Sequence, residues 1–320
     1  MPALNGMSTA DEVVETFSSS VKGRVFVITG AGQPSIGSQM ALALAKASPA
    51  HILIASRTAS KVEPVLAAIK ELDSTIKTTF VQFDLTDHES VRAAAKTILD
   101  AAPRIDVLIN SAGVMAVKEY TTDKQGIELQ LSANHVGHFL LTNLLVPALA
   151  AAEGARVVNL TSSGYLISPF RFDDYNFSDG AAYNSWESYG QAKTANILFT
   201  HGLSKRLGHH GITAAAAHPG YNGDTKLGAH LTWDDYAAIG PLVKQNSGID
   251  FVFEEPRFKT LGQIAATPLA AALDPGLEGA LPAYIQNCEV VEVLGHAREE
   301  EAVEKLWALS EKLVGQKFAY

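Results

Sequence analysis

A 320-residue chain with one cysteine, Cys288, cannot close an internal disulfide or build a multi-thiolate metal site. Its 25 Lys and Arg against 34 Asp and Glu leave a formal charge of −9 and no basic cluster, so the electrostatic footprint that a nucleic-acid backbone requires is missing. No apolar run reaches the ~18 residues of a membrane-spanning helix. The longest, Phe139 to Ala152, is broken by Thr142, Asn143 and Pro147 and reads as a buried helix. Residues 1–20, ending in Thr16-Phe17-Ser18-Ser19-Ser20, are polar and aperiodic and resemble neither a basic leader nor an anchor. They are expected to form a flexible or surface-docked extension, and the expected location is a reducing, cytoplasmic compartment.

What the chain does contain is 47% hydrophobic residues in a regular alternation. Short Val/Ile/Phe-rich runs are each followed by a stretch with helical apolar spacing, which is βαβ syntax. Strands are predicted over 24–29, 51–55, 78–83, 105–109, 156–160 and 212–217. Helices are predicted over 36–47, from a Ser60/Glu63 capping box, from an Asp87 cap through 99, over 123–150 and over 186–207. Because the strands are apolar throughout, both faces of the sheet should carry helices. The expected fold class is α/β, a Rossmann-like doubly wound parallel sheet in one domain over 21–320. Ligands bind such folds at the carboxyl ends of the strands. Residues 221–260 mix Gly, Pro and aromatics without period, and are expected to form an irregular substrate flap. A helix over 261–273, a strand near 283–286 and a helix over 298–314 complete the reading.

Three constellations carry chemistry. Thr29-Gly30-Ala31-Gly32-Gln33-Pro34-Ser35-Ile36-Gly37 lies between the first strand and first helix, where backbone N–H groups and the helix's positive end suit a pyrophosphate. Arg57, at the end of the second strand, replaces the acidic residue that would take a ribose 2′-hydroxyl and suits a 2′-phosphate, which favours NADP(H) over NAD(H). In Tyr189-Gly190-Gln191-Ala192-Lys193 the lysine lies one helical turn from the phenol, and its charge is expected to lower the tyrosine pKa for acid/base work. His135 and His138 are spaced at i,i+3 without a third ligand, and read as packed or surface histidines rather than a metal site.

These segments, together with Asp84-Leu85, Asn110-Ser111-Ala112-Gly113, Asn134, Asn159-Leu160-Thr161-Ser162-Ser163 and His218-Pro219-Gly220, resemble the short-chain dehydrogenase/reductase family over roughly residues 22–225. Asn134-His135-Val136-Gly137-His138-Phe139, the stretch around Tyr189 and the insert before it resemble the retinol-dehydrogenase-like branch, fungal-type members of unassigned substrate in particular. The resemblance implies Tyr189 as acid/base, Lys193 as the group that lowers its pKa and holds the nicotinamide ribose, and Ser162 as the hydroxyl on the substrate oxygen. Asn134 falls at a supporting position for a proton relay to the lysine. Cofactor contacts are implied at Gly30, Ser35, Ile36, Gly37, Asp84, Leu85, Asn110, Ala112, Gly113, Pro219, Gly220 and Thr225, beside Arg57, Tyr189 and Lys193. Ser35 stands where the family usually has a glycine, and the turn is one residue longer.

The expected activity is an NADP(H)-dependent interconversion of a carbonyl and an alcohol on a small-molecule substrate, bulky and apolar if the flap's aromatics cover it. No metal and no nucleic acid are implied, and a homo-oligomer is left open. The alternatives are a non-catalytic NADP-binding or interaction protein, a cofactor-retaining epimerase or dehydratase, and a nucleotide-fold methyltransferase.

Overall fold

The computed structural model describes residues 3–320. Its single sheet has the order β3-β2-β1-β4-β5-β6-β7-β8. The strands are β1 (Val25–Thr29), β2 (His51–Ser56), β3 (Lys77–Gln82), β4 (Val107–Asn110), β5 (Arg156–Leu160), β6 (Thr213–His218), β7 (Ala283–Gln286) and β8 (Glu289–Val291). The first seven run parallel to one another; β8, which the sequence pattern did not predict, turns back antiparallel on β7.

Alternation hidden inside the apolar strands sorts their side chains into two cores. Val27, Leu53, Leu108 and Val157 pack with Phe139, Leu140, Phe199 and Trp307 on one face. Phe26, Ile28, Ile52 and Ile54 pack with Met40, Leu44 and Leu269 on the other. After β3 the chain crosses over β1 to form β4, so the strand order reverses between β1 and β4. That reversal opens the crevice at their carboxyl ends.

Several local expectations are corrected. Residues 1–20, expected to be a flexible or surface-docked extension, dock over Ala10–Thr16 as a helix with Ala10, Val13 and Val14 buried, capped by Thr9 and Glu12; residues 1–2 of that extension lie outside the described residues. The helix predicted from Asp123 starts at Leu129. Gly126 adopts φ +80°, the Asp123 carboxylate accepts from the N–H groups of Gln125 and Ile127, and buried Glu128 caps Gln130 and Leu131. The run from there is not uniform: Ser132–Val136 is a π segment before the Gly137–Ala150 helix. No Ser60 capping box forms, because the helix begins two residues earlier than that cap implies, at Ala59, with Thr58 at its N-cap. The 221–260 segment is more regular than expected, holding the helices Trp233–Ala237 and Ile239–Ser247, whose Ile239 and Val243 are buried. Among the described residues, no helix is long and apolar enough to cross a membrane.

Candidate active site

The carboxyl ends of the strands open into one cavity of about 1100 Å³, running from the turn after β1 to the 221–260 segment. At its first end, Gly30 has φ +73°, and a Cβ there would lie 2.7 Å from the Ala112 Cα, so only glycine lets the turn meet the β4 loop. Ser35 explains how the turn closes without the family's usual glycine. Its hydroxyl donates to the Gly30 carbonyl (3.0 Å) and accepts from Ser38 N–H (3.0 Å), capping the Ile36–Ala45 helix. Ser35 and Ile36 line the cavity at the positive end of that helix. Arg57 lines the same end, exposed and without an acidic partner among the described residues. Asp84 and Leu85 form the neighbouring wall, Asp84 held by Thr86 N–H and hydroxyl bonds.

Two implied cofactor contacts sit behind this wall instead. Asn110 is buried and spends its amide N–H groups on Thr142 Oγ1 (2.9 Å) and Asn159 Oδ1 (2.8 Å), tying β4 to β5. Gly37 packs on Ala31, where a Cβ would come within 2.8 Å of the Ala31 Cα. Neither lines the cavity; both support it. Ala112, Gly113, Pro219, Gly220 and Thr225 do line it. The glycine cradle, the helix N-terminus and the unpaired guanidinium together fit an extended phosphate-bearing dinucleotide.

Tyr189 and Lys193 occupy one face of the Ser185–Leu207 helix, which Asn184 caps by accepting from Trp186 and Glu187 N–H. Both are buried. Lys193 Nζ lies 5.4 Å from the Tyr189 ring centroid and donates to the Leu160 carbonyl at 3.3 Å. Ser162 follows β5, and its hydroxyl accepts from Gly164 N–H at 3.0 Å. Gly164 is what admits the ring: a Cβ there would meet Tyr189 Cε1 at 2.7 Å. Asn134 lies in the π segment and clasps Val114 through both its amide groups, at 3.0 Å each.

The electrostatics of the pair differ from expectation. Burial pushes the Tyr189 phenol above its usual 10, with Ser162 opposing, and burial lowers the Lys193 ammonium to about 8. The lysine lies over the ring rather than at the phenolic oxygen, so within the protein alone desolvation dominates. A lysine whose pKa drops from 10.5 to about 8 on folding costs stability on the order of 3 kcal/mol below pH 8. The unfolded chain binds the extra proton between pH 8 and 10.5, so stability rises with pH across that window. Lys193→Met should therefore unfold at a higher temperature than the parent at pH 7, with the gap closing towards pH 10.5. A constant gap in thermal melts across that range would contradict this electrostatic account.

The far end of the cavity is aromatic. Trp186 and Tyr236 lie 5.4 Å apart, and Trp233, Phe251, Phe253 and Phe258 complete the wall. Trp186 is fixed by donating Nε1–H to the Asp235 carbonyl at 2.8 Å.

Sequence reasoning missed several residues here. Tyr221 bonds Ser163, while buried Glu254 and Lys259 pair beneath the flap beside His218. His218 was visible within His218-Pro219-Gly220, but Glu254 and Lys259 lie in an aperiodic stretch with no spacing to mark them. Among the described residues, no cluster of His, Cys, Asp and Glu could hold a metal ion.

Residues 24–235 match the family model described as short chain dehydrogenase. The chain is 35% identical over 300 residues to retinol dehydrogenase 12 of Mus musculus, covering 94% of this chain and 89% of that protein. It is 33% identical over 242 residues to oxidoreductase fscI of Fusarium equiseti, covering 68% and 94%. A solved structure of an uncharacterised protein from Mycobacterium paratuberculosis matches with a TM-score of 0.69 at 30% identity, over 93% of this chain and 96% of that one. Levodione reductase shares the fold, with a TM-score of 0.59 at 20% identity over 80% and 92%.

Proposed function

This chain belongs to the short-chain dehydrogenase/reductase family and is an oxidoreductase acting on an alcohol/carbonyl pair, and we propose that it uses NADP(H) on a bulky apolar substrate. The observation that carries this reading is one continuous cavity with an unpaired Arg57 at one end, Ser162, Tyr189 and Lys193 at its waist, and aromatic side chains at the other end. A bound nicotinamide supplies or accepts the hydride.

The protein's part follows from its own groups. Gly164 N–H occupies one lone pair of Ser162 Oγ and leaves its O–H to donate to a substrate oxygen. As negative charge builds on that oxygen during reduction, the Ser162 bond strengthens and Tyr189 gives up its phenolic proton. Lys193 keeps a cation beside the phenolate that remains, which burial alone would disfavour. For an alcohol substrate the same groups run in reverse. Trp186, edge-on to Tyr189, and Tyr236, tilted against Trp186, hold apolar bulk and exclude water.

Arg57→Ala should weaken NADPH binding by about 1.5–3 kcal/mol, as for one lost charge-assisted pair, and leave NADH binding nearly unchanged. Titrating both cofactors against parent and variant tests this; equal losses would remove Arg57 as the selector. A kinetic screen over ketones and aldehydes tests the substrate class. Bulky cyclic or long-chain carbonyl compounds should be turned over best, and a preference for small sugars or short hydroxy acids would refute the apolar reading.

A further inference from the structure

His138 lies outside the machinery just described, yet it is buried and both its ring nitrogens are engaged. Nε2 lies 2.9 Å from Thr29 Oγ1, and Nδ1 lies 3.1 Å from the Asn134 carbonyl oxygen. The directions of these bonds can be deduced. Thr29 Oγ1 already accepts from Ser111 N–H (2.9 Å) and Ala112 N–H (3.0 Å), which fills its two lone pairs. Its remaining capacity is its own proton, so Thr29 donates to Nε2. Nε2 is then an unprotonated acceptor, and Nδ1 carries the ring proton and donates to the Asn134 carbonyl. An imidazolium could not accept from Thr29, and burial, by lowering the His138 pKa to about 4, keeps the ring neutral.

The ring thus bridges the end of β1, at Thr29, and the π segment, at Asn134. Thr29 immediately precedes the Gly30 cradle and holds the loop to Ala112. Asn134 grips Val114 from the π segment, and a Cβ on Gly113 would lie 2.3 Å from Asn134 Oδ1 and 3.9 Å from Lys193 Nζ. We propose that His138 is a positioning residue with two separable duties: through Nε2 it sets the cofactor cradle, and through Nδ1 it sets the Asn134–Gly113 wall beside Lys193. This rests on the oxidoreductase reading above.

The two duties can be cut apart. In His138→Asn, the amide nitrogen takes the place of Nδ1 and keeps the Asn134 bond, but nothing reaches Thr29. In His138→Gln, the amide oxygen takes the place of Nε2 and keeps the Thr29 bond, but the Asn134 carbonyl loses its donor. His138→Asn should raise the NADPH Kd about 10-fold, with kcat at saturating cofactor within about 3-fold of parent. His138→Gln should leave Kd within about 2-fold and lower kcat about 10-fold. Kd is read by cofactor fluorescence titration, and kcat with a carbonyl compound that the parent reduces. Parallel losses in both variants, or none in either, would show a merely structural histidine and overturn the proposal. A parent that binds neither NADPH nor NADH would remove the functional reading, and this proposal with it.

Discussion

Tyr189→Phe is expected to lower turnover by about 100-fold or more while the NADPH Kd stays within about 2-fold. The substitution removes one oxygen and almost no volume, so the ring keeps its packing on Gly164 and its edge contact with Trp186. What disappears is the proton that must reach the substrate oxygen during reduction, and Ser162 is no substitute because a serine hydroxyl has no acidic range near neutrality. The unliganded phenol is held above its ordinary pKa by burial, so in the parent the proton is present and ready at neutral pH. Cofactor affinity is measured by fluorescence titration and turnover in single-cycle and steady-state assays. A Phe variant that reduces the same substrate at the parent rate would displace Tyr189 from the acid/base role.

Much of this site was legible in the sequence because its parts follow strands. In a doubly wound sheet the residues just past each strand converge, so the glycine turn, Arg57, Ala112-Gly113, Ser162 and His218-Pro219-Gly220 could be placed near one another before any coordinates were known. The tyrosine and lysine share a helix face by their spacing alone. What stayed hidden depended on side-chain direction or on non-local partners. Asn110 turns away from the crevice, its amide held by Thr142 on the Gly137–Ala150 helix and by Asn159 of β5. The helix expected from Asp123 begins only at Leu129 because the carboxylates of Asp123 and Glu128 and the backbone of Gly126 build a turn first. His138 looked inert because its role lies in a hydroxyl 109 residues away. The pKa of Tyr189 went against expectation for a related reason: spacing reports the distance between Tyr and Lys positions, whereas desolvation depends on everything packed around them.

The buried pair under the flap should produce the second large effect, through Lys259→Met. Lys259 and Glu254 side chains are 1% and 6% exposed, with Nζ 3.2 Å from Oε1. Glu254 Oε2 accepts from Gln286 Nε2 at 2.7 Å, and Lys259 Nζ donates to Asn287 Oδ1 at 2.5 Å, so the pair fastens the flap's end to the β7–β8 turn. Gly220, in the cavity wall, rests directly on both: a Cβ there would lie 2.7 Å from Glu254 Oε1 and from Lys259 Cδ. Removing the lysine leaves a carboxylate out of water without its cation, a change that costs about 3–5 kcal/mol at buried pairs. In the parent His218 does not supply this charge, since its Nε2 is 3.6 Å from Oε1 and burial lowers its pKa to about 4. Release of the flap avoids part of this cost by returning Glu254 to water, so the loss should appear as a higher KM for bulky substrates as well as a lower unfolding midpoint in urea. Glu254→Gln combined with Lys259→Met removes both charges and should recover most of the stability, because a neutral buried amide needs no counter-ion. A Lys259→Met single variant with parental stability and parental KM would show that the pair does not hold the flap.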